Sequence, residues 1–273
     1  MIYGCYVGHL PAGKALFIGS GWPALAMLTA WLIGVTTAGK GRRSWRRGRG
    51  AWCILLRVDA NTAELRAAHD VLAEFYAEHL AGHMDRSPAD RAVLGVFCDL
   101  VRDAGIGTDV ADVGCGTGRL EPFLAARGLR PQGVDLSPGM ITVARRDNPG
   151  FGYQVADLRK LPFGDASLAG VVCWYSLMYL TPGDRPAAFA ELARVVRPGG
   201  YLVTAFKAGD GALRRGGLTT GLGISFDVYW LPPAEMERLV AGAGFDPVFW
   251  AGRSAAETEM ETQPQGYLIA RRH

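Results

Sequence analysis

Asp112, Gly114, Gly116 and Gly118 stand at alternate positions in Asp112-Val113-Gly114-Cys115-Gly116-Thr117-Gly118, after an apolar run and before a helical pattern. Glycines at this spacing let a ligand lie against bare main chain, and the free N–H groups of a helix start favour an anionic group. Each glycine also forfeits backbone entropy on folding, with little return unless a ligand uses the turn. The segment reads as a nucleotide-type cofactor loop. Seventeen residues past Gly118, Gly133-Val134-Asp135 closes a second apolar run with a carboxylate suited to two vicinal ribose hydroxyls. A dinucleotide fingerprint would need its third glycine where Arg119 stands. The residues alone leave open an NAD-type cofactor or another adenosine cofactor.

The elements that must carry these residues alternate. A leading helix is expected from Asn61, with Leu65, His69, Leu72, Phe75, Tyr76, His79 and Leu80 on one face. Ser87-Pro88-Ala89-Asp90 reads as N-cap, first-turn proline and early negative charge, opening a helix that buries Val93, Leu94, Phe97, Leu100 and Val101 and closes at Gly105. Strands follow at 110–113, 133–136, 151–155, 168–174 and 201–206, with helices at 119–127, 138–147 and 185–196. Strands joined by single helices lie parallel with right-handed crossovers, which gives a doubly wound α/β sheet in three layers. A helix at 232–243 precedes strands at 245–250 and 266–270, which lack a crossover helix and so form an antiparallel pair at one edge.

Before Asp59, the first carboxylate in the chain, lie eight basic residues; the other 21 of 29 follow it, and all 26 acidic ones lie from Asp59 onward. The body is therefore net acidic and unsuited to a phosphate backbone, so no nucleic-acid partner is expected. Residues 1–58 read as an N-terminal extension, disordered or translated upstream of the true start, since four of the seven tryptophans crowd there beside GKGRRSWRRGRG without periodicity. Residues 15–39 carry no charge and are long enough for a membrane span, with glycines and threonines diluting them. If they inserted, the basic run after them would stay on the cytoplasmic side and hold everything after it there too. A cleaved signal peptide is disfavoured because the positive charge follows the apolar stretch. Five cysteines at unpatterned spacing support neither a disulfide framework nor a zinc site, so no metal is expected and a cytoplasmic setting fits. Residues 59–273 form the expected folded domain.

VADVGCGTGRL, GVDLSPGM, VADLRKLPF, SLAGVVCWYSLMYL and ELARVVRPGGYLVTAF, in that order, resemble the motif series of class I S-adenosylmethionine-dependent methyltransferases. The resemblance spans about 61–271 and implies a Rossmann-like, mostly parallel seven-stranded sheet with a reversed last strand. It implies that Asp112, Gly114, Cys115 and Gly116 surround the methionyl part of S-adenosyl-L-methionine and that Gly118 starts the helix. Asp135 would hold the ribose, Leu136 and Met140 the adenine face, and Asp157 with Leu158 the adenine amino group. Tyr175 and Ser176 would edge the methyl, with Tyr76 as a lid contact. Where the family often has an acidic residue at the start of the fourth strand, this chain has Ala169.

Methyl transfer needs an acceptor in line with the sulfonium, and an alcohol or phenol acceptor also needs a base. The candidates are His79, His83, Tyr175, Tyr179, Asp227 and Tyr229. Cys173-Trp174-Tyr175-Ser176 lacks the motif of nucleobase amino methyltransferases, and Trp174, Tyr175, Tyr179, Tyr229 and Trp230 suit a small, partly apolar acceptor. Two other readings stand beside this one: a cofactor-binding but non-catalytic partner subunit, and an NAD-type oxidoreductase.

Overall fold

The computed structural model describes residues 60–216, 221–255 and 263–273; the expectations for residues 1–58, the possible span included, lie outside the described residues. Among the described residues no helix is long and apolar enough to cross a membrane.

The chain begins with α1 (Ala60–His79), a four-residue turn α2 (His83–Arg86) and α3 (Pro88–Asp103). Then β1 (Asp109–Val113), α4 (Glu121–Ala125), β2 (Arg130–Asp135), α5 (Pro138–Asp147), β3 (Gly152–Val155), β4 (Leu168–Trp174), a 3₁₀ turn (Leu177–Tyr179), α6 (Arg185–Val195) and β5 (Val196–Lys207) follow. A hairpin of β6 (Ala212–Gly216) and β7 (Ser225–Tyr229) leads to α7 (Pro233–Gly242), β8 (Phe245–Arg253) and β9 (Gln265–Arg272).

Seven strands form one sheet in the order β3-β2-β1-β4-β5-β9-β8. The first five are mutually parallel, and β9 runs antiparallel to both of its neighbours. Every residue of β4 is buried, as expected of a central parallel strand covered on both faces. From β1 the chain goes outward through β2 to β3 and then returns to β4 on the other side, so the sheet's order reverses between β1 and β4. In open α/β sheets, that reversal leaves a crevice at the carboxyl ends of the strands.

Several expectations need correction. Ser87 stands at the N-cap but makes no side-chain cap bond; Asp90 lies in the first turn as expected, and is buried there, accepting from His83 Nε2 and from the Tyr267 hydroxyl, each at 3.0 Å. The helix expected at 119–127 is only Glu121–Ala125, confined between Gly118 (φ 75°) and Gly128 (φ 84°). The fifth strand starts at Val196 and carries an irregularity that moves its pairing from Leu168↔Val196 to Gly170↔Tyr201. The β6–β7 hairpin was not expected at all; β7 packs against α1.

Candidate functional site

The reversal point holds a cavity of about 200 Å³, bounded by the ends of β1, β2, β4 and β5, the segment after β3, and α1. Its floor is built where two loops nearly touch. A Cβ on Gly114 would lie 2.3 Å from the Ser176 Cβ, and the Ser176 hydroxyl donates to the Val113 carbonyl at 2.7 Å. Gly114 adopts φ 80° there, a conformation glycine takes without steric cost. The amides of Gly114 and Cys115 both donate to the Val134 carbonyl, at 2.8 and 3.0 Å, tying this loop to β2.

Asp135 sits at the end of β2, its carboxylate accepting from the Gly116 amide at 2.9 Å and the Ser137 amide at 2.8 Å. Burial raises its pKa, while these amides pull it back. Asp112 is more isolated: it is 1% exposed and neither carboxylate oxygen has a hydrogen-bond partner. Burial pushes its carboxyl up to about 7, with the Arg119 charge pulling down and Asp135 pushing further up. Glu121 lies in the same buried field, likewise without a partner, and burial raises its pKa well above the carboxylate range. Buried carboxylates left unpaired are costly in an empty fold, which marks this corner as a place for a positive group.

Leu136, Met140, Leu158 and Asp157 complete that side. Asp157 takes Arg159 through its backbone amide at 2.8 Å and its guanidinium at 2.7 Å, and Arg159 continues to Asp184 at 2.9 Å. The carboxylate keeps lone pairs for a further donor. Gly118 stands apart from the cavity: a Cβ there would meet the Tyr153 hydroxyl oxygen at 2.5 Å, so its role is to let β3 approach.

Opposite lie Tyr76, His69, Phe75, Trp174, Tyr175, Met178, Tyr179, Val228, Lys207 and Arg215. Tyr175 holds φ 60°, unusual for a bulky residue, with its amide bonded to the Ala205 carbonyl at 2.9 Å. Burial raises its hydroxyl pKa well above the ordinary value, so it remains a neutral phenol. The Tyr76 and Tyr179 hydroxyls are 3.5 Å apart.

The six catalytic candidates divide. Tyr175 and Tyr179 line the cavity, and His79 stands at its rim, stacked on Phe75 with centroids 5.2 Å apart. His83, Asp227 and Tyr229 do not line it. His83 is bonded to Asp90, Asp227 faces Arg214 at 3.2 Å, and Tyr229 lies under Arg185. Trp230 is also outside the lining. His69, Arg119, Arg159 and Lys207 line the cavity and were not singled out from the sequence. Among the described residues no cluster of three or more His, Cys, Asp or Glu side chains could hold a metal.

A family model described as a methyltransferase domain matches residues 110–200, the stretch from β1 to the start of β5. The O-methyltransferase cnsE of Penicillium expansum is 31% identical over 195 residues, which span 65% of this chain and 70% of that protein. The chain belongs to the class I S-adenosylmethionine-dependent methyltransferases. A malonyl-[acyl-carrier protein] O-methyltransferase of Serratia marcescens is 40% identical over 97 residues, 36% of this chain and 37% of that protein. The chain thus matches only about a third of that relative's length. Among solved structures, the magnesium protoporphyrin IX methyltransferase of Synechocystis PCC 6803 with bound S-adenosylmethionine is 19% identical, covering 80% of this chain and 100% of that one at a TM-score of 0.56. At that identity the likeness is one of fold: the family's sheet, including the reversed last strand, is the sheet of this methyltransferase. The family's methyl donor is S-adenosylmethionine.

Proposed function

We propose that residues 59–273 form one domain that transfers a methyl group from S-adenosylmethionine to a small-molecule acceptor. The bound donor supplies an electrophilic methyl on a sulfonium; the chain must hold its polar ends and aim its middle.

The observation that carries this reading is the buried Asp112 carboxylate, which has no hydrogen-bond partner and lies on the cavity wall. An ammonium is the group such a carboxylate lacks, and the donor's methionyl tail has one. Beside it, the Gly114–Gly116 main chain accommodates the tail, and Asp135, oriented by two amides, accepts from the ribose hydroxyls. Leu136 and Met140 pack the adenine face, and the Asp157 carboxylate accepts from its amino group, aided by the Leu158 backbone. Tyr175 and Ser176 then flank the methyl, with Tyr76 and the aromatic wall beyond it for the acceptor. That wall favours a compact, partly apolar substrate over a polymer. Positioning the acceptor against the methyl can itself supply several kcal/mol of barrier reduction.

Titration calorimetry with S-adenosylhomocysteine and with NAD(H) tests the reading: the first binds and Asp135→Asn weakens it at least tenfold, while the second does not bind. Binding of NAD(H) alone would sink it. Transfer of labelled methyl to an acceptor then separates an enzyme from a silent cofactor-binding subunit. Three buried free thiols, Cys98, Cys115 and Cys173, suit a reducing compartment, and we assign the protein to the cytoplasm on that ground.

A further inference from the structure

His69 projects from α1 into the cavity, between side chains of two other elements and of α1 itself. Its ring meets Tyr179 of the 3₁₀ turn edge-on at 4.9 Å and Phe226 of β7 at 5.2 Å, and lies nearly parallel to Tyr76 at 5.9 Å. Nδ1 lies 2.9 Å from the Leu65 carbonyl. A carbonyl only accepts, so Nδ1 carries the hydrogen and, in the neutral ring, Nε2 carries the lone pair. Among the described residues nothing donates to Nε2.

We infer that His69 is the general base of an O-methyl transfer, with Nε2 taking the proton of a hydroxyl on the acceptor. The inference rests on the donor reading above. The acceptor's O–H bond breaks and its proton goes to Nε2. The oxygen's electron pair forms the new bond to the methyl as the methyl–sulfur bond breaks, and that bond's pair stays on sulfur as the thioether. The imidazolium then releases its proton to water.

The surroundings select a hydroxyl. Carboxylates and acidic thiols ionise unaided near neutral pH and need no base. The cavity lining carries Arg66, Arg119, Arg159, Lys207 and Arg215 against Asp112, Asp135, Asp157 and Asp184; the donor reading commits the first three of these carboxylates and Asp184 is paired with Arg159, which leaves a balance that disfavours a second cation and favours an oxygen turning negative. The base is also in the right form. Burial lowers the imidazole pKa, opposed by the charges of Asp135 at the end of β2 and Asp70 on its own helix, so the ring is neutral and ready to accept. Tyr76 and Tyr179 are the other titratable groups against the ring.

Two measurements on the full chain test this. In the complex with S-adenosylhomocysteine, ¹⁵N NMR of histidine-labelled protein should show His69 as the neutral Nδ1–H tautomer at pH 7.5; an Nε2–H tautomer or a protonated ring overturns the inference without any turnover. Labelled S-adenosylmethionine is then offered with phenol, catechol, benzylamine, benzoate and benzenethiol. Transfer should go to the phenolic oxygen and fall by about 100-fold or more in His69→Asn. Free imidazole should restore part of it, and the remaining rate should follow the phenol's own ionisation instead of the histidine's. Transfer only to amine, thiol or carboxylate, no transfer to any probe while S-adenosylhomocysteine binds, or a variant within threefold of the parent with the same pH profile each overturns it. Failure of the parent chain to bind S-adenosylhomocysteine is a failure of the donor reading instead.

Discussion

Asp70 reaches from α1 to accept the Ser137 hydroxyl at 2.6 Å, and the same oxygen takes the Gly139 amide at 2.8 Å. The Ser137 hydroxyl oxygen in turn accepts from the Met140 amide at 3.0 Å, capping α5. A Cβ on Gly139 would come within 2.9 Å of the Asp70 Cα, so α1 and the start of α5 touch at the backbone. One carboxylate thus ties the cavity's roof to the helix that follows Asp135. Asp70→Ala should cost about 1–2 kcal/mol by leaving the hydroxyl and amide without their acceptor. Hydrogen exchange along 60–79 should accelerate and S-adenosylhomocysteine should bind several-fold more weakly; unchanged protection of α1 would refute the tie.

Gly114 and Gly116 are both left-handed, yet they should respond differently to a methyl group. A Cβ at Gly114 collides with Ser176, whereas one at Gly116 meets nothing within 4 Å. Gly114→Ala should therefore lower the melting temperature with or without ligand, because the β1 and β4 loops must separate. Gly116→Ala carries only the backbone strain, about 1 kcal/mol, and should lose donor affinity by tenfold or more if the methionyl tail uses that space. Equal losses of stability in the two variants would count against this division.

The difference between what could and could not be read from the residues follows sequence distance. The helix at 138–147 and the strand at 168–174 were legible to the residue, one as a helical pattern between two apolar runs and the other as an unbroken apolar run. Asp112 and Asp135 were legible because strand, glycine turn and carboxylate are consecutive. The β6–β7 hairpin was not, because its strands are short and charged and are held by partners elsewhere: Arg214 reaches Glu64 on α1, and Phe226 meets His69. His69 lay on the apolar face of the leading helix and looked like packing; only tertiary structure turns it toward the cavity. Asp90 is the first-turn acidic residue that the sequence shows, but its burial and its bond from a tyrosine 177 residues away were not legible there.

That buried Asp90 gives a prediction about stability. Burial pushes its carboxyl up, but the bonds from His83 and Tyr267 and the Arg119 charge outweigh this, and its pKa lies below the ordinary value. His83 is depressed as well, chiefly by burial, so the pair is a neutral imidazole donating to a carboxylate. Both groups bind protons more readily once unfolded, so both stabilise above their unfolded pKa values, and both contributions are lost as pH falls. Asp90→Ala should destabilise by about 3–5 kcal/mol at pH 7, since His83, Tyr267 and the nearby Arg119 charge all lose their counterpart. A denaturant midpoint within experimental error of the parent would show that this network contributes nothing.

Asp112 should behave in the opposite sense. Its folded pKa of about 7 lies above the unfolded value, so the ligand-free fold holds a proton that the unfolded chain has released. The contribution is complete below the ordinary carboxylate range and is lost as pH rises toward 7, where the fold must carry a bare buried charge. Asp112→Asn removes that charge and should stabilise the ligand-free protein at pH 8 by roughly 1–3 kcal/mol. The same change removes the partner for the donor's ammonium, so S-adenosylhomocysteine should bind at least tenfold more weakly at pH 8, about 1.4 kcal/mol. In the parent chain affinity should rise with pH through 7 as the carboxylate ionises, and in the variant that rise should flatten. Calorimetry at pH 6 and pH 8 on both proteins decides it: a variant that binds as tightly as the parent and shows the same pH slope would mean that Asp112 does not hold the donor.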